Sequence, residues 1–366
     1  MIPVAKPALI GNEKKYVNEA IKDGWISSRG KFIDLFEKNF SKYTKSKYAI
    51  SVSNGTTALV TALKSLGIGP GDEVLLPSLT FGATANSVVT IGAKPIFIDS
   101  SDHNWNINTD DIEKKISKKT KCIIIVHLYG LPCEIKSIKK ICKKYNLFLI
   151  EDCAEALGAK YFNRHVGSFG DVGTFSFFGN KNISTGEGGM CITKSAKIAK
   201  KIKILRDHGM DPNKRYWHLE AGYNHRITNL QAAIGCAQLE NIDKLIRRRN
   251  EIQDIYHNFF YKKKYYDFIQ NPQGTTPVNW LFSFLLSKDY ISDKENLLKF
   301  LLKKGIETRS FFYPLHTMKA YQLKLNSLNN AEFFFEKGFN LPTYYELKNR
   351  DIDYICITVD EFFQKR

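Results

Sequence analysis

The stretch FSFFGNKNISTGEGG, Phe175 to Gly189, sets one lysine, Lys181, between an apolar aromatic run and a glycine cluster. A phosphate-cradling lysine follows its glycines, and a structural lysine sits on a solvated face; Lys181 fits neither pattern. A lysine becomes a nucleophile when it is neutral, through burial or neighbouring positive charge. Upstream, LFLIEDCAEALGA ends an apolar run on Glu151 and Asp152. A carboxylate there is costly unless it is paired. One of the two acids can cap a helix in AEALGA; a functional Asp152 needs a cationic partner such as a protonated ring nitrogen. Further upstream, SVSNGTTALVTALKSLG opens an amphipathic helix with Ser53, Asn54, Gly55, Thr56 and Thr57. Such a helix start offers unpaired N–H groups and partial positive charge, which suits an anion as well as an ordinary cap. An anion site, an acid at a strand end and a lysine able to lose its charge are the three anchors of a pyridoxal 5′-phosphate (PLP) site.

The elements that must position these residues alternate. DEVLLPS, KPIFIDS, KCIIIVHLYG and LFLIEDC read as strands, with FGATANSVVTIG, NTDDIEKKI and EIKSIKKICKKYN as intervening helices; GTFSFF and GGMCIT add two more strands. Apolar strands alternating with helices predict a largely parallel sheet covered on both faces, with ligands at its carboxyl edge. A long helical stretch over 230–260 follows. Beyond it, NWLFSFLLS and IETRSFFY read as strands, and KENLLKFLLKKG and RDIDYICITVDEFFQK as helices. The predicted fold class is α/β, with a large mainly parallel-sheet domain over 1–245 and a smaller C-terminal α/β domain over 246–366.

Bulk properties bound the partners. The 366 residues carry a formal charge of +17, and the densest runs, Arg247–Arg249 and Lys262–Lys264, fall in or beside a helical pattern. They read as solvated faces, because no zinc spacing or RNA-binding aromatic motif accompanies them. Neither nucleic acid nor a membrane is an expected partner, and no metal site is expected. A basic surface favours the approach of a small polyanion. No P-loop or dinucleotide fingerprint is present. The seven cysteines form no CxxC pair and read as free thiols of a cytoplasmic protein.

The segments WISSRG, SNGTTAL, GDEVLLPSLTFGATANSV, VHLYGLPCEI, IEDCAEALGA, VGSFGDVGTFSFFGNKNISTGEGGM, GYNHRITNLQAAIG and GIETRSFFYPLH, spread over nearly the whole chain, resemble the DegT/DnrJ/EryC1/StrS nucleotide-sugar aminotransferases. That resemblance implies the fold-type I aminotransferase fold and PLP, with pyridoxamine phosphate (PMP) as the half-reaction form. It implies that Lys181 anchors the cofactor and moves a proton, that Asp152 keeps the pyridine nitrogen protonated, and that Phe81 stacks on the ring. It assigns Thr56, Thr57 and Ser176 to the phosphate, and Asn224 to the phosphate of a neighbouring subunit, so that a homodimer shares its sites.

Glu155 departs from the commonest family pattern, a glutamine or histidine beside the phenolic oxygen, and is expected to be protonated or to share a proton with that oxygen. EDCAEA matches the subgroup that forms perosamine. The implied reaction carries an amino group from L-glutamate to C4 of a nucleotide-linked 4-keto-6-deoxy sugar, GDP-4-keto-6-deoxy-D-mannose first. UDP- or dTDP-linked sugars and C3 amination are alternatives, and a non-catalytic or nucleic-acid-binding regulator is the competing class. Arg29, Arg215 and Arg309 are candidates for a diphosphate or the glutamate carboxylate, or for structural ion pairs. His316 and His225 lie in matching motifs and read equally well as packing residues.

Overall fold

The computed structural model describes residues 1–321 and 327–365. Seven strands form the central sheet: β1 (Tyr48–Val52), β2 (Glu73–Pro77), β3 (Lys94–Ile98), β4 (Thr120–Val126), β5 (Phe148–Asp152), β6 (Val172–Ser176) and β7 (Gly189–Thr193). Their order is β1-β7-β6-β5-β4-β2-β3, and β7 alone runs antiparallel to its neighbours. Alternation along each strand feeds two cores. Ile50, Leu76, Ile124 and Ile150 point to one, and Leu75, Ile123, Leu149 and Phe175 to the other. Because six strands share a direction, the chain leaves β1, β2, β4, β5 and β6 at a single edge.

The second unit has an antiparallel sheet of Tyr266–Asp267, Phe282–Leu286, Gly338–Leu341 and Arg309–Ser310, in that order. Its own core begins inside a helix, at Ile252, and continues through Tyr256, Phe260, Phe284 and Phe339. Several details differ from the sequence reading, among them β1, a strand that reading does not include. The helical stretch over 230–260 is two helices, Asn229–Glu240 and Ile242–Phe260, broken at Asn241, where φ −109° and ψ 8° interrupt the α conformation. IETRSFFY contributes a strand only at Arg309–Ser310, while GFNL, an unassigned stretch, is one of the sheet's two inner strands, Gly338–Leu341. Arg249 is not on a solvated face. It is buried and donates to the carbonyls of Trp280 at 2.6 Å and Thr343 at 3.0 Å.

These bonds fix how the second unit meets the sheet edge. Val278 N–H donates to the carbonyl of Gly130, just past β4, at 3.1 Å. Gly130 has φ +89°, and a Cβ there would lie 1.7 Å from the Val278 carbonyl oxygen. Gly130→Ala therefore combines backbone strain with a clash that moves the 278–281 segment. It is expected to lower the unfolding free energy by about 2 kcal/mol or more, read as a lower urea midpoint.

Candidate active site

A cavity of about 400 Å³ opens at the carboxyl edge of the sheet, lined on one side by Asn54–Thr56, Thr80, Phe81, Asp152, Glu155, Ser176 and Lys181. The second unit lines the other side with Trp280, Leu281, Arg309, Phe312 and Asn340.

The helix Gly55–Ser65 starts on a capping box. The Asn54 side chain accepts Thr57 N–H at 2.9 Å, and Thr57 Oγ1 accepts Asn54 N–H at 3.1 Å. Thr57 Oγ1 also donates to the Asn54 carbonyl and meets Ser53 Oγ at 3.1 Å. Thr57 thus lies outside the cavity wall, its hydroxyl engaged by the cap, while Gly55, Thr56 and Ser176 line the wall. A Cβ on Gly55 would sit 2.8 Å from Ser176 Cβ, so the helix start and the end of β6 meet closely because residue 55 is glycine.

Adjacent strand residues point to opposite faces, which separates the two acids of IEDC. Glu151 accepts N–H groups of Gly167 at 2.8 Å and of Phe169 and Gly170 at 2.7 Å, and meets His127 Nε2 at 3.2 Å. Cys133 N–H occupies His127 Nδ1, so Nε2 carries the hydrogen and donates. Burial alone would raise the Glu151 pKa; His127 and the backbone N–H groups outweigh it and hold the carboxyl below its ordinary value. Asp152 faces the cavity. Oδ1 accepts Ala154 N–H and Oδ2 accepts the Thr84 hydroxyl, each at 3.1 Å. Burial raises its pKa against those bonds and against the Lys181 charge, which leaves Asp152 short of a cationic partner. AEALGA folds as turns rather than a helix, so neither acid is a helix cap.

Lys181 follows a turn closed by its N–H to the Phe178 carbonyl at 2.9 Å. Its Nζ lies 3.4 Å from Glu155 Oε1 and 4.1 Å from the centroid of the Trp280 ring. Trp280 Nε1 donates to the Asn180 carbonyl at 2.6 Å, holding the lysine turn from the other unit. Glu155 Oε2 accepts Tyr129 N–H at 2.9 Å. Tyr129 has φ 52° and ψ 21°, a left-handed conformation unusual for a bulky side chain. Phe81 is 60% exposed at the mouth of the cavity, with its ring 5.6 Å from that of Phe312.

The structure brings Thr56, Phe81, Asp152, Glu155, Ser176, Lys181 and Arg309 around one cavity. It sets other candidates elsewhere. Arg29 and Arg215 line a separate basin with Lys203, Arg206 and Arg226. Asn224 accepts Arg226 Nε–H at 3.1 Å beside that basin. His316 is satisfied by Ser78 Oγ at 2.6 Å and Glu332 Oε1 at 3.0 Å, and His225 by Thr61 Oγ1 at 3.1 Å. Sequence reasoning missed Trp280, Tyr129 and Thr84. NWLFSFLLS reads only as a strand, and nothing local says that its leading tryptophan enters a site built 100 residues earlier. The signal for Tyr129 was its place before Gly130 at the end of a buried strand.

Thr57→Ala is expected to lower the unfolding free energy by about 1 kcal/mol, through the lost cap. Thr56→Ala, at an exposed wall position, is expected to change it by less than about 0.5 kcal/mol. Chemical denaturation of both variants checks the division.

A family model described as the DegT/DnrJ/EryC1/StrS aminotransferase family matches residues 7–360. A protein of Escherichia coli O157:H7 named GDP-perosamine synthase is 45% identical over 368 residues, covering 100% of this chain and 99% of that protein. An aminotransferase of Helicobacter pylori involved in the biosynthesis of pseudoaminic acid has a TM-score of 0.95 and 28% identity, covering 100% of both chains. A Streptococcus pneumoniae protein solved in its PMP form has a TM-score of 0.93 and 27% identity, covering 100% of this chain and 98% of that one. With a lysine, an acid and a helix start converging on one cavity, and with matches that run the length of the chain, the protein belongs to the DegT/DnrJ/EryC1/StrS aminotransferase family.

Proposed function

We propose that the protein is a PLP-dependent sugar aminotransferase that moves the amino group of L-glutamate to C4 of GDP-4-keto-6-deoxy-D-mannose, giving GDP-perosamine. One observation carries this reading: the Lys181 ammonium, the Asp152 carboxylate and the Gly55–Thr56 helix start share a cavity, in a chain 45% identical along its length to a GDP-perosamine synthase.

The residues present fit the cofactor. Asp152 is a buried carboxylate short of a cation, as a pyridinium partner requires. The approach of Gly55 to Ser176 leaves a helix N-terminus and two hydroxyls, Thr56 and Ser176, for the phosphate. PLP supplies an electron sink for the carbon that carries the amino group. Lys181 would hold the aldehyde and carry the proton that the exchange requires. Phe81, at the cavity mouth, would cover the ring. The wall formed by Trp280, Leu281 and Phe312 keeps water from the reacting nitrogen.

The substrate side rests on charge. Arg309, with Glu307 at 4.0 Å as its carboxylate neighbour, lines the same cavity and suits the glutamate carboxylate or a diphosphate. Arg29, Arg215 and Asn224 reach a cofactor site in this reading only across a homodimer, each chain's basic basin completing its partner's cavity. His316 serves by holding the 314–317 turn against Ser78. We keep the division at 245/246 and a cytoplasmic location as parts of the proposal. Among the described residues, no helix is long and apolar enough to cross a membrane.

Purified protein incubated with L-glutamate and either the GDP- or the UDP-linked 4-keto-6-deoxy sugar is expected to aminate the GDP sugar, read by mass spectrometry. Product from the UDP sugar alone would overturn the nucleotide assignment and leave the reaction class standing. A colourless protein that bound DNA would overturn the class. Lys181→Ala is expected to abolish both the visible absorption of the bound cofactor and turnover. Asp152→Asn is expected to retain the cofactor but lose about 10²–10³-fold in kcat, through the weakened electron sink.

A further inference from the structure

Besides its expected place at the cofactor's phenolic oxygen, the second carboxyl group in the cavity also meets the lysine. Glu155 is buried, with a side chain only 4% exposed. Its oxygens have different partners: Tyr129 N–H fixes Oε2 at 2.9 Å, which turns Oε1 towards Lys181 Nζ at 3.4 Å. The centroid of the Trp280 ring lies 4.1 Å from Nζ. The lysine nitrogen thus has one carboxyl group and one aromatic face as neighbours. Two other titratable groups face Glu155. Asp152 stands on the same strand end, and the Tyr129 hydroxyl is kept neutral by burial and accepts Phe312 N–H. Arg309 lines the same cavity.

A protonated amine has no lone pair to offer a carbonyl carbon, so Lys181 must shed a proton before it bonds. We propose that Glu155 is the base that takes this proton from Lys181, keeps it while the lysine nitrogen is covalently engaged, and returns it when the lysine is released. The inference rests on the reading of Lys181 as the cofactor's covalent anchor. The step balances. Nζ forms a double bond to the aldehyde carbon, and the aldehyde oxygen leaves as water with two of the three ammonium protons. The third proton passes to Glu155 Oε1, and the positive and negative charges cancel.

Electrostatics favours this direction. Once the ammonium is consumed, an ionised Glu155 would be left buried beside Asp152 without its cation, whereas the neutral acid needs none. Burial already lifts Glu155 above the ordinary carboxylate range; the Lys181 charge and Tyr129 N–H oppose the lift, and Asp152 adds to it. Losing the Lys181 charge removes the main opposing influence. Tyr129 N–H still holds Oε2, so the protonated oxygen stays directed at Nζ for the return.

The test counts protons. PLP is titrated calorimetrically into cofactor-free full-length protein, in buffers of different ionisation enthalpy at one pH. The parent protein is expected to take up about one proton more per site than Glu155→Gln. Equal counts would overturn the proposal. In a Lys181→Arg background, which keeps the cation but forms no bond, Glu155→Gln is expected to make no difference. A difference that persisted there would overturn it too. If Glu155→Gln does not fold, isotope-edited infrared difference spectra of the parent decide instead: a protonated-carboxyl band must appear on loading, and its absence is a failure. A parent protein that gains no visible absorption with PLP would sink the Lys181 reading itself; visible absorption with equal proton counts would sink this inference alone.

Discussion

Two carboxyl groups and one lysine line a single cavity, and the surrounding donors are arranged around the cost of burying the two acids. Burial raises the pKa of both Asp152 and Glu155 against the opposing Lys181 charge, because unpaired charge is expensive away from water. The protein answers with neutral donors. Ala154 N–H and the Thr84 hydroxyl serve Asp152, and Tyr129 N–H serves Glu155, at the cost of a left-handed backbone.

The parallel sheet makes this arrangement possible by topology alone. Strands that run one way end at one edge, so residues as distant as Asn54, Phe81, Asp152 and Lys181 converge without long loops. The reverse strand β7 costs the edge one opening, and GEGG, which runs into its first residue, lets the chain double back. A Cβ on Gly189 would lie 2.3 Å from the Asn54 carbonyl oxygen. Gly189 therefore acts at the join between β7 and the helix start that faces the cavity.

Most of the large sheet was legible in the sequence because each strand is a short apolar run bounded by polar residues, and Lys181, Asp152 and Phe81 fall just past the ends of such runs. What escaped depends on distance in the chain. The role of Arg249 is invisible locally, since RRR on an amphipathic helix looks the same whether its third arginine meets water or two buried carbonyls. GFNL is too short to declare itself a strand, and it becomes one because Phe282–Leu286 and Arg309–Ser310 flank it. Glu151 and Asp152 are adjacent letters with opposite fates, and the alternation of a strand separates them. Arg29 and Arg215 carry the right chemistry, but the single chain sets them in another basin.

The wall supplied by Trp280 also orders events in time. The ribosome completes Lys181 about a hundred residues before the tryptophan that packs over it. At typical elongation speeds that interval is roughly 5–20 s. For most of it the sheet has all seven of its strands, the last ending at Thr193, yet the lysine's pocket lacks one side. A finished pocket is thus a property of the finished polypeptide, and tight retention of the cofactor doubles as a sign that synthesis has run past the second unit's first long strand.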